Sequence, residues 1–136
     1  MTPIRQLSPR DKSLEVARWI AVLPAAALGN FTVDFVFRLV SGIAQPLWFL
    51  QYLLAPVAFV FTGSYVAPRH KTGTAVSLSM TSAGISLLKH VVGPHLAGNR
   101  VGTTNYVHAG LELAGALAGV TLLILRGRQS SDATDQ

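Results

Sequence analysis

The chain has 136 residues, enough for one domain, and half of them are hydrophobic while only 12% are charged. Soluble domains carry about 25% charged residues, so this composition excludes an ordinary water-facing surface. The absence of cysteine excludes disulfides, thiol catalysis and cysteine-ligated metals. The net charge of +5 is spread over loops and tails, without the basic, aromatic-interleaved stripe of a nucleic-acid-binding protein.

Four apolar stretches follow one another along the chain, each near the roughly 20 residues that cross a bilayer core. They cover about residues 18–40, 46–67, 74–92 and 105–125. Helix punctuation marks their borders: Ser41-Gly42 ends the first, Ala67-Pro68 ends the second, and Gly93-Pro94 is expected to stop the third. The sequence therefore predicts an all-α integral membrane protein with four transmembrane helices in an antiparallel bundle.

The remaining segments complete the predicted organisation. Residues 1–17 form a cytoplasmic N-terminal segment, residues 18–126 the four-helix transmembrane domain, and the polar residues 127–136 a disordered cytoplasmic tail. A soluble helical bundle would need a charged face on each helix, and these stretches lack one. A signal peptide in residues 1–27 fits the basic start only loosely, because the apolar run continues through FTVDFVF.

The orientation follows from the distribution of Lys and Arg. Eight of them flank the predicted spans on the side of the two termini: Arg5, Arg10, Lys12, Arg18, Arg69, Lys71, Arg126 and Arg128. Of the loops on the other side, SGIAQ has none and GPHLAGNRVGTT has only Arg100. Because cytoplasmic loops carry the excess of Lys and Arg, both termini are expected in the cytoplasm and the protein in the plasma (inner) membrane.

The fourth span carries polar and small residues on one face. At 100° per residue, His108, Glu112, Gly115 and Gly119 lie within about 60° of one another, and Leu117 lies opposite. Gly115 and Gly119 form a G-x-x-x-G pattern, which lets another helix backbone approach closely. We therefore predict that this face looks into the bundle and that the two glycines are helix-packing residues.

The other three spans show similar polar or small stripes. Their members are Asn30, Asp34 and Arg38 on the first span, Gln51, Ala55, Ala58 and Thr62 on the second, and Ala75, Ser79, Ser82, Ser86 and Lys89 on the third, with His90 at the edge. Since lipid offers no hydrogen bonds, these stripes are expected to face one another inside the bundle.

The ionisable residues of the spans share one depth. In the predicted orientation Asp34 and Glu112 lie about 10 Å below the outer boundary, with Lys89 and His90 nearer to it. We predict one intramembrane polar cluster: Asn30, Asp34, Arg38, Lys89, His90, His108 and Glu112. Charges within a span are functional candidates by default, but the pairs Asp34–Arg38 and Lys89–Glu112 could equally serve a structural role.

Three functions are consistent with this pattern. No nucleophile–base motif, P-loop or glycine-rich phosphate fingerprint occurs, so an enzyme is not expected. The first hypothesis is a non-enzymatic subunit or helper that acts through helix–helix contacts, and the second is a small oligomeric transporter or channel with an outward-facing site at Asp34, Lys89 and Glu112. The third is a haem- or metal-binding protein that uses His90 and His108.

The expected partners follow from the same pattern. They are the lipid bilayer and either another membrane protein or further copies of the chain, and no nucleic acid. The expected cofactors are none, with His90 and His108 as the only metal-ligand candidates.

Overall fold

The computed structural model describes residues 9–40 and 48–132. Within these ranges the regular elements are all helical: α1 (Pro9–Val40), α2 (Trp48–Val66), α3 (Lys71–Leu87), a π-helical turn (Leu88–Val92), α4 (Gly93–Leu96) and α5 (Thr103–Asp132). The all-α prediction is confirmed. Four stretches, with α3 to α4 counted as one, are long and apolar enough to cross a membrane.

Two predicted boundaries are wrong. Gly93-Pro94 does not stop the third span, because the π turn and α4 carry the helical path on to Leu96. The fourth helix runs through Gly127 to Asp132, so residues 127–132 of the predicted disordered tail are helical. One glycine inside a helix costs only about 1 kcal/mol relative to alanine, which neighbouring good helix formers offset. Residues 1–8, 41–47 and 133–136 lie outside the described residues.

Helix α2 is the centre of the bundle. It packs against α1, α3 and α5, and α3 also packs against α5. A cluster of small or branched apolar residues is buried between these helices: Val22, Ala26, Val60, Ala67, Ala75, Leu78 and Ala116. Large apolar side chains such as Phe31, Leu39 and Leu117 are instead exposed at 66–67%. Small residues inside and large apolar residues outside are the arrangement expected of helices that pack in lipid.

Glycines set the closest helix approaches. A Cβ placed on Gly115 would collide with the backbone carbonyl oxygen of Leu53, and one on Gly119 would lie 3.0 Å from Cβ of Val60. On the other side of α2, a Cβ on Gly29 would collide with the side chain of Thr62. The structure thus places Gly115 and Gly119 against α2.

Helices α1 and α3 both lie against α2 but are separated by a cleft. At one end of this cleft is an apolar groove of about 480 Å³, whose walls include Trp19 and Leu23 from α1 and Ser77 and Leu78 from α3. Toward the middle, Ala26 and Leu78 both pack over Gly63 and are 0% and 4% exposed. Beyond this constriction lies the polar site described next.

Candidate functional site

The local structure of the site depends first on Pro94, which lies just after the π turn. A proline has no N–H, so the carbonyl of His90, four residues earlier, loses its normal helical donor. The side-chain amide of Asn105, at the start of α5, donates to this carbonyl at 2.9 Å. The chain forms the π turn at the same place, and π turns are frequent at functional sites. The helical path continues past Gly93-Pro94, and Asn105 of α5 supplies the carbonyl of His90 with a donor.

The π turn also decides which basic residue is buried. Its hydrogen bonds close wider rings than those of an α-helix, so each residue advances less around the axis. His90 therefore lies below Ser86 on the inward face and is 7% exposed, whereas the Lys89 side chain is 61% exposed. This reverses the sequence prediction, which put Lys89 on the inward stripe and His90 at its edge.

Both basic residues, His90 and Lys89, contact the same carboxylate oxygen of Glu112 in α5. Nε2 of His90 lies 3.1 Å and Nζ of Lys89 3.6 Å from Oε1 of Glu112, whose side chain is 15% exposed. A carboxylate this buried is costly to keep charged without partners, and His90 and Lys89 supply them. Lys89 approaches Glu112 from the more exposed side, and its amine lies 5.9 Å from the ring centre of Tyr52.

Three rings pack together beside Glu112. Tyr52 of α2 stacks on His108 of α5, with 4.0 Å between the ring centres and 9° between the planes. The ring of His90 meets that of His108 edge to face at 5.5 Å. This contact joins α2, the π turn and α5, and it holds both imidazoles in fixed orientations.

A second ionic group lies on the α1 side. Nε of Arg38 donates to Oδ2 of Asp34 at 2.8 Å, one helical turn apart, and Arg38 is 75% exposed. The side-chain amide of Gln51 donates to the other oxygen of Asp34. Both oxygens of Asp34 are therefore engaged, and Asp34 links α1 to α2.

A cavity of about 150 Å³ separates the two acidic groups. Its lining combines four apolar residues, Ala55, Pro56, Phe59 and Ile85, with Asn30, Asp34, Gln51, Tyr52, Ser82, Lys89 and Glu112. We call this the polar cavity. One water needs about 10–15 Å³ of such a space, so the cavity has room for several waters or one small ligand.

The predicted cluster is only partly one site. Asn30, Asp34, Lys89 and Glu112 line the polar cavity, whereas His90 and His108 lie behind Glu112 and Arg38 is outside the lining. Sequence reasoning left out Gln51, Tyr52 and Ser82. Gln51 and Ser82 belong to the polar stripes of their spans, which was a usable signal. Nothing in the sequence singled out Tyr52, because an aromatic residue in an apolar span is equally common on the lipid face.

The arrangement of the histidines does not suit a haem. The two imidazoles touch each other edge to face, and Tyr52 covers one face of His108, which leaves no room for a macrocycle between them. Within the described ranges, no group of three or more His, Asp and Glu residues is arranged to hold a metal ion.

The described residues form a helical protein with four membrane-length helices and a polar cavity between them. Comparison of the chain with protein-family models, curated proteins and solved structures found no match. Function is therefore inferred from the site itself.

Proposed function

We propose that the chain is a multi-pass membrane protein that binds a small polar ligand in the polar cavity and passes it along the cleft between α1 and α3. In this proposal the four long helices form an antiparallel transmembrane bundle in the plasma (inner) membrane. Both termini are cytoplasmic, as the distribution of Lys and Arg favours. The polar cavity then lies in the outer half of the membrane.

The observation that carries the proposal is the polar lining of a cavity between the helices of an otherwise apolar bundle. Asp34, Lys89 and Glu112, from three different helices, meet around about 150 Å³ of space. Charged groups at membrane depth are expensive and are functional candidates by default. Lys89, which pairs with Glu112 at 3.6 Å, is 61% exposed beside the cavity.

The lining also indicates the class of ligand. Two carboxylates and one ammonium group line the cavity, so the lining itself carries more acidic than basic groups, although Arg38, outside the lining, pairs with Asp34. Asn30, Gln51 and Ser82 add hydrogen-bonding groups, and the ring of Tyr52 attracts cations. A small molecule with an ammonium group and further hydrogen-bonding atoms matches these features.

The cleft between α1 and α3 supplies a route. The polar cavity occupies one end and the apolar groove the other, and they are separated where Ala26 and Leu78 pack over Gly63. A small movement of α1 relative to α3 at this level would join the two spaces. This is the pattern of a transporter, in which a site opens to one side of the membrane at a time.

Cysteine labelling tests the cavity, because the natural chain contains no cysteine. Ser82→Cys in the cavity lining should react with a membrane-impermeant thiol reagent added from outside, since thiolate forms only in contact with water. Met80→Cys, on the same helix and 71% exposed on the outer surface of the bundle, should be protected by lipid. Equal resistance of the two variants would exclude a water-filled cavity.

The ligand class is tested by protection of the same cysteine. A panel of small primary amines and amino acids should slow the labelling of Ser82→Cys, whereas matched carboxylic acids without an amine should not. Glu112→Gln should abolish the protection, because it removes one of the two negative charges of the lining. Protection that survives Glu112→Gln would place the ligand elsewhere.

A second candidate is the subunit or helper role. Among the described helices, α1 makes close backbone contact with α2 alone, and Leu28, Phe31 and Phe35 are exposed at 62–67%. Such an edge helix is open to a partner helix or to a second copy of the chain. Native mass spectrometry from mild detergent distinguishes the roles. A stoichiometric complex without amine protection would favour the helper, and amine protection in the isolated chain would favour the transporter.

A further inference from the structure

A separate pocket lies at the opposite end of the helices from the polar cavity. It has a volume of about 310 Å³ and is formed by the end of α2, the start of α3 and the last part of the membrane-length stretch of α5. Its lining comprises Phe61, Tyr65, Lys71, Thr72, Leu123, Arg126 and Gly127. We call it the basic pocket. The proposed ligand path does not use it.

The two cations of the basic pocket are held above aromatic rings. The amine of Lys71 lies 5.6 Å from the ring centre of Tyr65, and the guanidinium of Arg126 lies 5.9 Å from that of Phe61. Of the described residues that line the pocket, none is acidic. Arg69, in the loop between α2 and α3, pairs with Glu15 of α1 at 3.2 Å and does not line the pocket.

The position of the pocket matches a lipid headgroup. Lys71 begins the third membrane-length stretch and Gly127 ends the fourth, so the charged residues lie at the edge of the apolar region. Leu123 and Phe61 line the pocket closer to the middle of the helices, where acyl chains would lie. Aromatic residues and Lys or Arg are the usual anchors at this depth, and basic pockets between membrane helices bind anionic lipid headgroups.

We infer that the basic pocket is a binding site for the phosphate headgroup of an anionic phospholipid. Lys71 and Arg126 bind the phosphate oxygens, and the Thr72 hydroxyl donates a hydrogen bond. Phe61 and Leu123 contact the first part of the acyl chains. The inference depends on the proposed membrane insertion but not on ligand transport, so it survives if the cavity experiments fail.

The test is titration of the purified chain in detergent with short-chain phosphatidylglycerol, read by native mass spectrometry. Each Lys or Arg at a charged membrane surface contributes about fivefold in affinity. The variant with Lys71→Gln and Arg126→Gln should thus bind about 25-fold more weakly. Lys71→Arg should retain binding. Both residues are exposed at the surface, and circular dichroism checks that the variants remain helical.

Three controls make the result specific. Arg18→Gln removes one exposed charge from α1 outside the pocket and should leave the affinity unchanged. Phosphatidylcholine, which is zwitterionic, should bind much more weakly than phosphatidylglycerol. Inorganic phosphate at equal concentration should not compete, because it cannot contact the apolar wall. Equal binding of the two lipids, an equal loss in Arg18→Gln, or full competition by phosphate would each overturn the inference.

Discussion

Nε2 of His90 lies 3.1 Å from Oε1 of Glu112, and both side chains are largely buried, at 9% and 15% exposure. The sequence pattern indicated Lys89 as the partner of Glu112, and Lys89 does approach the same oxygen, at 3.6 Å. Lys89 is the exposed member of this group of three.

We predict that Glu112 depends more on His90 than on Lys89. Lys89→Met should cost about 0.2–1 kcal/mol of stability, the range of an exposed ion pair. His90→Phe, which keeps a ring but removes the buried hydrogen bond, should cost about 1–3 kcal/mol. Thermal unfolding in detergent provides the comparison.

A double-mutant cycle is the control for this prediction. Combining Glu112→Gln with His90→Phe should give a coupling energy of at least about 0.5 kcal/mol, as for residues in contact. The same cycle with Lys89→Met should give less. If Lys89→Met proves the more damaging substitution, the buried pair is wrongly assigned.

The second prediction concerns the contact between α5 and α2. Gly115→Ala should destabilise by about 1–3 kcal/mol, because its Cβ would collide with the carbonyl oxygen of Leu53 and force the helices apart. Gly110→Ala is the matched control on the same helix, since a Cβ there meets nothing within 4 Å. It should be neutral or slightly stabilising. Equal unfolding temperatures for the two variants would show that the close approach is misplaced.

The third prediction tests why the helix passes Pro94. Asn105→Ala should cost about 1–3 kcal/mol, because the carbonyl of His90 then lacks a donor. Adding Pro94→Ala supplies a backbone N–H that can bond to this carbonyl, so the double variant should recover most of the loss. Independent, additive effects would mean that Asn105 does not compensate for the proline. The measurement is again thermal stability in detergent.

The fourth prediction is the topology. Asn99→Cys, between α4 and α5, should react with an impermeant thiol reagent on intact cells, whereas Arg69→Cys, between α2 and α3, should react only after permeabilisation. The reason is the excess of Lys and Arg on the side of the termini. A periplasm-active reporter fused after Gln136 should be inactive. High reporter activity would invert the proposed orientation.

The sequence determined the helical class and the positions of the four long helices, because local apolar runs and turn residues act through backbone geometry that each segment carries by itself. It also placed Gly115 and Gly119 on the face that α5 turns to the bundle, since helical periodicity is a local property. The end of α5 was harder to place, because Gly127 only weakens a helix and does not stop it.

The tertiary structure determined which side chains of different helices contact one another. The helix continues past Pro94, and the carbonyl of His90 bonds to Asn105, a residue 11 positions after Pro94 that reaches it only because α5 packs beside the π turn. That turn shifts the rotation of the helix, so His90 and not Lys89 is buried against Glu112. Likewise, nothing in a single sequence shows that Tyr52 stacks on His108 or that α1 and α3 are held apart by α2. Periodicity gives the face of each helix, but which faces meet depends on helix rotation and spacing, which only the packed bundle sets.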